Sequence, residues 1–524
     1  MITADRHGRP PHPFEAIMAQ KSVRRHCRTA VPENHPRQRN STDRASIRSI
    51  LCQRLNGSTD TSSGGSMRRR VLAAVASLGL VLTGAVGCGS GGGNTLTITA
   101  NAIDTAGGKN AAEAKWIADW VIPRFIDMEK AKGVTVQVKF QATGVPDEDY
   151  KSRIAKDLKT GTGADVVSVD GIWIGEFAEG QQIMPLDELI GADKVAAWDG
   201  WQQIPESVRR SMTYNGKVYG IPLETDGRVL FFNRKLFAQA GLPADWQPAS
   251  WDDILAAARK LKALPGVLPL QLDAGTSFGE ATTMQGILPL LAGTGASMYQ
   301  DGKWIGDTAN FRKVLDFYRT VYGEKLGDAE LQQDAQGREK SFEKFAKGQV
   351  GILLESDYLW RGVLNTDGGN YPMADRDTAV GWAKIPAQAP GAGLNKQDFV
   401  SMSGGGGRVL NPKSKHIQLA WELLQFMNSP DALKAFIARG GPRIAARQDV
   451  NTDTLSGDPM LTFIAKQVLP ITALRPALPE YTQVSQAMQQ ATLDVITGRS
   501  TADAAATYSD TVAKVVGKDK VANG

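Results

Sequence analysis

Short segments with strand periodicity alternate with longer segments with helix periodicity over most of the chain. Residues 95–99 and 134–140 alternate between apolar and polar side chains, and residues 165–169 form a short apolar run, so all three are predicted strands. Apolar side chains recur at helical spacing over residues 110–131 and 147–158, which predicts helices. Strands that alternate with helices predict the α/β fold class.

The same alternation continues in the middle of the chain. Residues 217–221 and 229–232 are predicted strands, and residues 251–264 are predicted to form an amphipathic helix. Residues 386–393 are rich in Gly and Pro and predict a surface loop near a connection between two lobes. The chain has 524 residues, more than one hydrophobic core usually serves, so we expect at least two cores.

The chain before this pattern has a different composition. Residues 1–66 contain 11 Lys and Arg, 5 Asp and Glu, four of the five histidines, no Trp or Tyr and a single Phe. Such a segment buries too little apolar surface to offset the entropy lost on ordering, so we expect it to be disordered, or untranslated with Met67 as the true start. Residues 67–87 join an Arg-rich start to an uncharged, mostly apolar run, which predicts a signal peptide.

The predicted signal peptide ends at Cys88, which a Gly-rich stretch follows. Residues 85–88, Ala-Val-Gly-Cys, resemble the processing site of bacterial lipoproteins. The resemblance implies that Cys88 carries a lipid, that residues 88–94 form a tether, and that the protein lies on the extracellular face of the cytoplasmic membrane. Cys27 and Cys52 precede this site, so the processed chain could form no internal disulfide. A cleaved signal peptide with an incidental cysteine is the alternative.

Charge and histidine content exclude several classes of function. Residues 1–87 hold 14 of the 60 basic and 5 of the 55 acidic residues, so the remainder has 46 basic and 50 acidic residues and a net charge of −4. This balance argues against a nucleic-acid partner, which requires a clustered basic face. The same part contains one histidine, His416, which excludes a His-based triad and a His-rich metal cluster. The sequence predicts neither a metal nor another cofactor.

Six segments of the predicted globular part carry recognisable motifs. They are DVVSVDGIWIGEFA from Asp165, YNGKVYGIP from Tyr214, LFFNRKLF from Leu230, FEKFAKGQVGI from Phe342, NPKSK from Asn411 and IAARQDV from Ile444. In order and spacing they resemble carbohydrate-specific solute-binding proteins of the maltose-binding-like family, and within it the disaccharide- and trehalose-binding lipoproteins of actinobacteria. The resemblance covers residues 95–515. It implies a two-lobe fold like that of the periplasmic binding proteins, with a hinge and a ligand cleft between the lobes.

The resemblance also divides the chain and assigns it a function. Lobe one is expected to comprise residues 95–222 and 396–440, and lobe two residues 223–395 and 441–520. The implied protein is a monomeric substrate-binding lipoprotein of an ABC importer, which closes on a mono- or oligosaccharide, delivers it to the permease subunits and is not an enzyme. The runner-up is a secreted glycoside hydrolase that works through two carboxylates. A cell-wall carbohydrate adhesion module is a third possibility.

Sugar hydroxyls both donate and accept hydrogen bonds, so carboxylates are candidate ligand-binding residues. Asp170 follows the predicted strand 165–169, at the kind of strand end that opens into a ligand crevice; an N-cap of the next helix is the alternative. Asp226 lies at the first crossover that the resemblance implies, where a plain turn before Gly227 is the alternative. In an extended chain Glu224 and Asp226 would share one side.

Aromatic rings can stack on the faces of sugar rings. Trp173, Tyr358 and Trp360 are the candidates, each with a place in the core as the alternative, and the resemblance favours Tyr358 or Trp360. Glu280 could line the pocket or stabilise the first turn of the following helix. Asp104, which follows the first predicted strand, is a further candidate.

Two arginines and two glycines complete the predicted site. Arg443 and Arg447 are alternative donors to a sugar hydroxyl, and the sequence leaves the choice open. Gly404 and Gly405 could let backbone amides approach the ligand closely. Their Gly-rich run lacks the Lys-Ser/Thr ending of a phosphate-binding loop, which argues against a nucleotide.

Overall fold

The computed structural model describes residues 94–105 and 108–524. The predicted leader, the signal peptide and the lipidation site Cys88 lie outside the described residues, together with nearly all of the tether. Within the described part, no helix is both long enough and apolar enough to span a membrane.

The first sheet has five strands, and the part of the chain built around it is called lobe one below. In spatial order its strands are Val136–Ala142, Asn94–Ala100, Val166–Asp170, Gly406–Leu410 and Gly220–Pro222. The first three are parallel, whereas Gly406–Leu410 runs antiparallel to both neighbours. The three strands predicted in the first part of the chain are confirmed. The predicted strand 217–221 is interrupted at Tyr219, because Lys217–Val218 pairs with Thr213–Tyr214 in a separate hairpin.

Both faces of this sheet are buried. Side chains along a strand point alternately to either face, and each face packs against its own hydrophobic core. Leu96 and Ile98 pack into the core on one face, whereas Val167 and Val169 of the neighbouring strand pack into the core on the other. Such double burial is typical of sheets with parallel strands and helices on both faces.

Helices pack against both faces of the first sheet and complete the two cores of lobe one. They are Ala111–Trp116, Ile117–Val121 in π-helical geometry, Ile122–Ala131, Asp147–Thr160, Ile174–Glu179, Leu186–Ile190, Ala192–Ala196, Glu206–Arg209, Ile417–Met427, Pro430–Gly440 and Gln448–Thr454. The two helices predicted for the first part of the chain are confirmed, the first with a π-helical turn at its centre.

The second sheet has four strands and defines lobe two. In spatial order its strands are Val380–Ala383, Arg228–Asn233, Val350–Ser356 and Leu268–Gln271. Leu230 and Phe232 face one core, and Val229 and Phe231 face the other, so the predicted strand 229–232 is confirmed and buried on both sides.

The remaining helices belong to lobe two. They are Arg234–Gln239, Trp251–Leu261, Glu280–Thr282, Thr283–Ile287, Leu288–Gly293, Ala309–Gly323, Gly337–Ala346, Leu359–Val363, Arg376–Ala379, Pro459–Phe463, Ile464–Val468, Tyr481–Ile496 and Thr501–Val516. The predicted helix 251–264 is confirmed with an earlier end, and it begins with a capping box between Ser250 and Asp253.

The chain crosses between the lobes three times. Two crossovers contain the paired strands Glu224–Thr225 and Ile444–Ala445, and the third contains Gly404 and Gly405. Glu224–Thr225 pairs antiparallel with Ile444–Ala445. Phe399–Ser403 pairs with Ile385–Pro386 and Thr472–Leu474, and the chain then passes to lobe one at Gly404 and Gly405, a few residues beyond the boundary expected at 396. Tyr299–Gln300, Lys303–Ile305 and Val521–Ala522 form a further small sheet.

Gly405 lies in close contact with the neighbouring crossover at Glu224. Its φ of 148° is disfavoured for residues with a side chain, and a Cβ at this position would lie 2.6 Å from the carbonyl oxygen of Glu224. Its own carbonyl accepts the N–H of Gly171 at 3.2 Å. Gly405 therefore fixes how the crossover strands pack.

The first prediction concerns this crossing. Gly405→Ala is expected to lower the free energy of unfolding by about 1–3 kcal/mol, because the new Cβ strains the backbone and displaces the Glu224 carbonyl. Urea unfolding measures the change. Gly323→Ala is the control, since a Cβ at Gly323 meets no atom within 4 Å. Equal stability of the two variants would contradict the prediction.

Candidate functional site

A cavity of about 320 Å³ lies at the junction of the lobes, where the lobe-one strand Val166–Asp170 ends. Lobe one contributes Asn101, Glu113, Ser168, Asp170 and Trp173, the crossovers contribute Glu224 and Arg443, and lobe two contributes Glu280. The structure thus brings together five of the predicted ligand-binding residues: Asp170, Trp173, Glu224, Glu280 and Arg443.

Three polar atoms in the cavity wall lack hydrogen-bond partners. Ser168 Oγ, Trp173 Nε1 and Arg443 Nε are buried and have no partner among the described residues. A buried donor without a partner costs about 1–3 kcal/mol, whereas most buried polar groups in proteins are satisfied. Three residues that line one cavity thus keep a polar group without a partner.

Asp170 caps a helical turn and also forms an ion pair. Its Oδ1 accepts the N–H of Ile172 at 3.1 Å, so the capping role allowed by the sequence is real. The same oxygen accepts a hydrogen bond from Arg475 Nη2 at 3.1 Å. No partner of Oδ2 is seen in the described part of the chain, and the side chain is 38% exposed, so this oxygen is free to accept another donor.

Glu280 lines the same cavity and is held by three donors. Arg475 Nη1 donates to its Oε1 at 3.1 Å, the Tyr481 hydroxyl donates to the same oxygen, and Ser485 Oγ donates to Oε2 at 2.7 Å. Glu280 also begins the helix Glu280–Thr282, so both roles considered from the sequence apply.

Of the two candidate arginines, Arg443 lines this cavity and Arg447 does not. Arg443 lines the cavity, donates to Glu224 at 3.0 Å and lies 4.0 Å from the centre of the Phe436 ring. Burial lowers the pKa of Arg443, although Glu224 opposes that shift. Arg447 is 2% exposed and donates to both oxygens of Asp449, away from the cavity.

Asp226 forms its hydrogen bonds to residues of the crossover region and does not line the cavity. Its Oδ1 accepts hydrogen bonds from Arg228 and from the Gly404 N–H, the latter at 2.6 Å. Burial would raise the pKa of Asp226, but the Arg228 charge and the Gly404 amide outweigh burial and hold the pKa below its usual value. The Gly404 amide is therefore engaged by Asp226.

Several other predicted residues lie away from this cavity. Trp360 is 1% exposed in a lobe-two core, and its Nε1 donates to Asp458, so the proposed stacking role does not fit its position. Tyr358 is partly buried beyond the end of strand Val350–Ser356 and does not line the cavity. Asp104 is exposed and pairs with Lys115 at 3.3 Å.

A second and larger cavity, of about 550 Å³, lies on the other side of the crossover pair. Thr225 lines it, whereas its neighbour Glu224 lines the first cavity, as expected for an extended segment. Its walls contain no Asp, Glu or Arg, and Lys466 is the one charged residue. It therefore offers fewer charge-assisted hydrogen bonds to a polyhydroxylated ligand than the first cavity.

Sequence reasoning missed Arg475, Asn101 and Glu113. Arg475 follows strand Thr472–Leu474, outside every recognised motif, so only the fold reveals its proximity to Asp170 and Glu280. Asn101 directly follows the first strand and could have been found by the strand-end argument that was applied to Asp104.

Comparisons with known proteins agree with this architecture. Residues 108–434 match the family described as bacterial extracellular solute-binding protein. A putative binding protein of Brucella abortus is 23% identical over 403 residues, which cover 75% of this chain and 90% of the relative. An uncharacterised ABC transporter extracellular-binding protein of Pyrococcus horikoshii is 28% identical over 128 residues, which cover 23% of this chain and 28% of the relative.

Solved structures of sugar-binding proteins share the fold. The sugar-binding protein MalE of Xanthomonas citri is 19% identical, with a TM-score of 0.64, and covers 81% of this chain and 98% of its own. A solute-binding protein of Thermotoga lettingae, bound with α-D-tagatose, is 24% identical, with a TM-score of 0.62. The match covers 80% of this chain and 99% of that protein. The GacH receptor of Streptomyces glaucescens, studied without ligand and with acarbose, is 21% identical, with a TM-score of 0.62 and coverage of 81% and 98%. The predicted two-lobe α/β fold is confirmed, and the chain belongs to the bacterial extracellular solute-binding protein family.

Proposed function

We propose that this chain binds a mono- or oligosaccharide in the cavity between the lobes and delivers it to the permease of an ABC importer. The lining of the cavity carries the proposal. The carboxylates Asp170, Glu224 and Glu280 line one space of about 320 Å³, together with Ser168, Trp173 and Arg443, each of which has a buried polar atom without a partner. Sugars match such a space, since their hydroxyls both donate and accept and their C–H faces pack on aromatic rings.

Proteins of the same fold support a carbohydrate as the ligand. The structures from Thermotoga lettingae, Streptomyces glaucescens and Thermotoga maritima are described with α-D-tagatose, acarbose and maltose, respectively. Their diversity of ligands on one fold indicates that the side chains of the cavity, rather than the fold, select the sugar.

The hydrogen-bonding capacity left free in the cavity suggests the role of each side chain. Asp170 and Glu280 are proposed to accept sugar hydroxyls, because each keeps an oxygen with spare capacity. Ser168, Trp173 and Arg443 are proposed to donate through the atoms that lack partners. A carboxylate acceptor makes charge-assisted bonds, which are about twice as strong as neutral ones.

Asp226 is proposed to act by positioning rather than by contact. Its carboxylate joins Arg228 of lobe two to the Gly404 amide at the crossover. Tyr358, near the end of a lobe-two strand, is kept as a candidate for stacking when the lobes close, and Gly404 and Gly405 as parts of the hinge.

The electrostatics of Asp226 argue against its use as the acid of a hydrolase. A glycosidase acid must hold a proton near neutral pH, which requires a raised pKa. The pKa of Asp226 is instead lowered, with Arg228 and the Gly404 amide outweighing burial.

The proposed location is the extracellular face of the cytoplasmic membrane, with the protein anchored as a monomer through a lipid on Cys88. Membership of an extracellular solute-binding family supports export, and the Ala-Val-Gly-Cys motif supports lipidation. The two lobes are proposed to follow the expected division of the chain, with the second crossover moved to Gly404 and Gly405 and the helix Gln448–Thr454 packed in lobe one.

Calorimetry with a panel of neutral mono- and oligosaccharides tests the proposed function. At least one sugar is expected to bind, and product analysis is expected to recover it unchanged. Turnover would favour the hydrolase, and a failure of every sugar to bind would refute the proposal. Loss of sugar uptake on deletion of the gene would distinguish transport from adhesion.

Asp170→Asn tests direct contact with the sugar. Asn keeps the capping role but loses the charge, so we expect affinity to fall roughly ten- to a hundredfold, equivalent to about 1.5–3 kcal/mol. The melting temperature is expected to fall modestly, because Arg475 loses one carboxylate and keeps its pair with Glu280. The control is Asp187→Asn, which removes an exposed carboxylate of lobe one. Unchanged affinity of Asp170→Asn would remove this residue from the site.

Asp226→Asn tests the positioning role. When Asp226 loses its charge, Arg228 is left without an ion-pair partner, and the Arg228 side chain is only 7% exposed. The ligand-free protein is therefore expected to lose about 3 kcal/mol of stability. Because the pKa of Asp226 is lowered, the difference from wild type is expected to be full at pH 7 and to shrink as the pH falls below about 4. Thermal melts across this range measure it. Unaltered melting with weakened sugar binding would assign Asp226 to direct contact.

Cys88→Ser tests the anchor. The variant is expected to leave the membrane fraction for the medium, because Ser cannot carry the thioether-linked lipid. Fractionation of cells with detection of the protein measures this change. Retention of the variant in the membrane would contradict lipidation at Cys88.

A further inference from the structure

Arg475 joins two carboxylates that belong to different lobes. Its Nη2 lies 3.1 Å from Asp170 Oδ1 of lobe one, and its Nη1 lies 3.1 Å from Glu280 Oε1 of lobe two. The Arg475 side chain is 8% exposed, so solvent screens these pairs less than surface pairs. One guanidinium therefore spans the junction.

The backbone around Arg475 also touches lobe one. Arg475 follows the lobe-two strand Thr472–Leu474 and lies 5.9 Å from the Tyr481 ring. Two residues further on, the carbonyl oxygen of Ala477 lies 1.8 Å from the place where a Cβ of Gly175 would stand. Only a glycine in the lobe-one helix Ile174–Glu179 permits this approach. The contact is separate from the three crossovers.

The two carboxylates stand between Arg475 and the cavity. Asp170 and Glu280 both line the cavity, whereas Arg475 lines a small neighbouring space. Arg475 donates to one oxygen of each carboxylate. Asp170 Oδ2 remains available as an acceptor, and Glu280 Oε2, which accepts one hydrogen bond from Ser485, can accept a second. A residue in this position acts on a ligand only through the two acceptors.

We propose that Arg475 is a clasp that ties the lobes together and positions Asp170 and Glu280 as a single acceptor unit for the sugar. The positioning part rests on the proposed function, and the clasp part does not. Burial alone would lower the pKa of Arg475, but Asp170, Tyr481 and Glu280 outweigh burial and raise it, so the clasp stays charged. The planar fork of Arg serves two acceptors at once, which the ammonium of Lys does not reproduce.

Hydrogen exchange of the ligand-free full-length chain tests the clasp. Arg475→Gln is expected to speed exchange by about tenfold or more in peptides covering residues 171–179, because the Ile172 amide loses the fixed Asp170 acceptor. Arg259→Gln is the control, since it removes an exposed pair with Glu324 on lobe two. Unchanged exchange in residues 171–179 would overturn the clasp. If the Gln variant fails to fold, Arg475→Lys is measured against the same expectation.

A double-mutant cycle on sugar affinity tests the positioning. Arg475→Gln and Asp170→Asn are each expected to weaken binding by about tenfold or more, and the double variant by clearly less than the product of the two. Multiplicative effects would overturn positioning through Asp170. If wild-type protein binds no sugar, the proposed function and the positioning fail together, and the exchange experiment still decides the clasp.

Discussion

Pairing between guanidinium and carboxylate groups holds the junction of the two lobes. Arg228 pairs with Asp226, Arg443 with Glu224, and Arg475 with Asp170 and Glu280. A cleft that offers carboxylates to a neutral ligand cannot leave their charges uncompensated when the cleft is partly dehydrated. Arg475 supplies that compensation from behind Asp170 and Glu280, so their free oxygens remain available at the cavity.

The same constraint links stability to ligand binding. The pairs of Arg443 with Glu224 and of Arg475 with Asp170 and Glu280 join segments that are distant in the sequence. Glycines at the crossovers permit the close backbone approach that these pairs require, as at Gly405 beside Glu224. The network that fixes the crossovers therefore also fixes the acceptor geometry of the cavity.

Donors without partners have the complementary role. Ser168, Trp173 and Arg443 each keep a buried polar atom unsatisfied around one cavity, whereas most of the carboxylates there are already engaged. This arrangement keeps unused hydrogen-bonding capacity for a ligand, at a cost to the ligand-free protein of about 1–3 kcal/mol for each atom.

The sequence by itself determined the elements and the fold class. Alternating and helical periodicities are local properties, so strands such as Val166–Asp170 and helices such as Asp147–Thr160 were predicted close to their observed bounds. Strand ends were also informative, since Asp170 lines the cavity as expected. Only the tertiary structure decided which polar residues meet. It placed Arg443 in the cavity and Arg447 outside, buried Trp360 in a core and brought Arg475 to Asp170. The physical reason is that pairing of side chains across the lobes depends on packing between distant parts of the chain. Local periodicity contains no information about that packing.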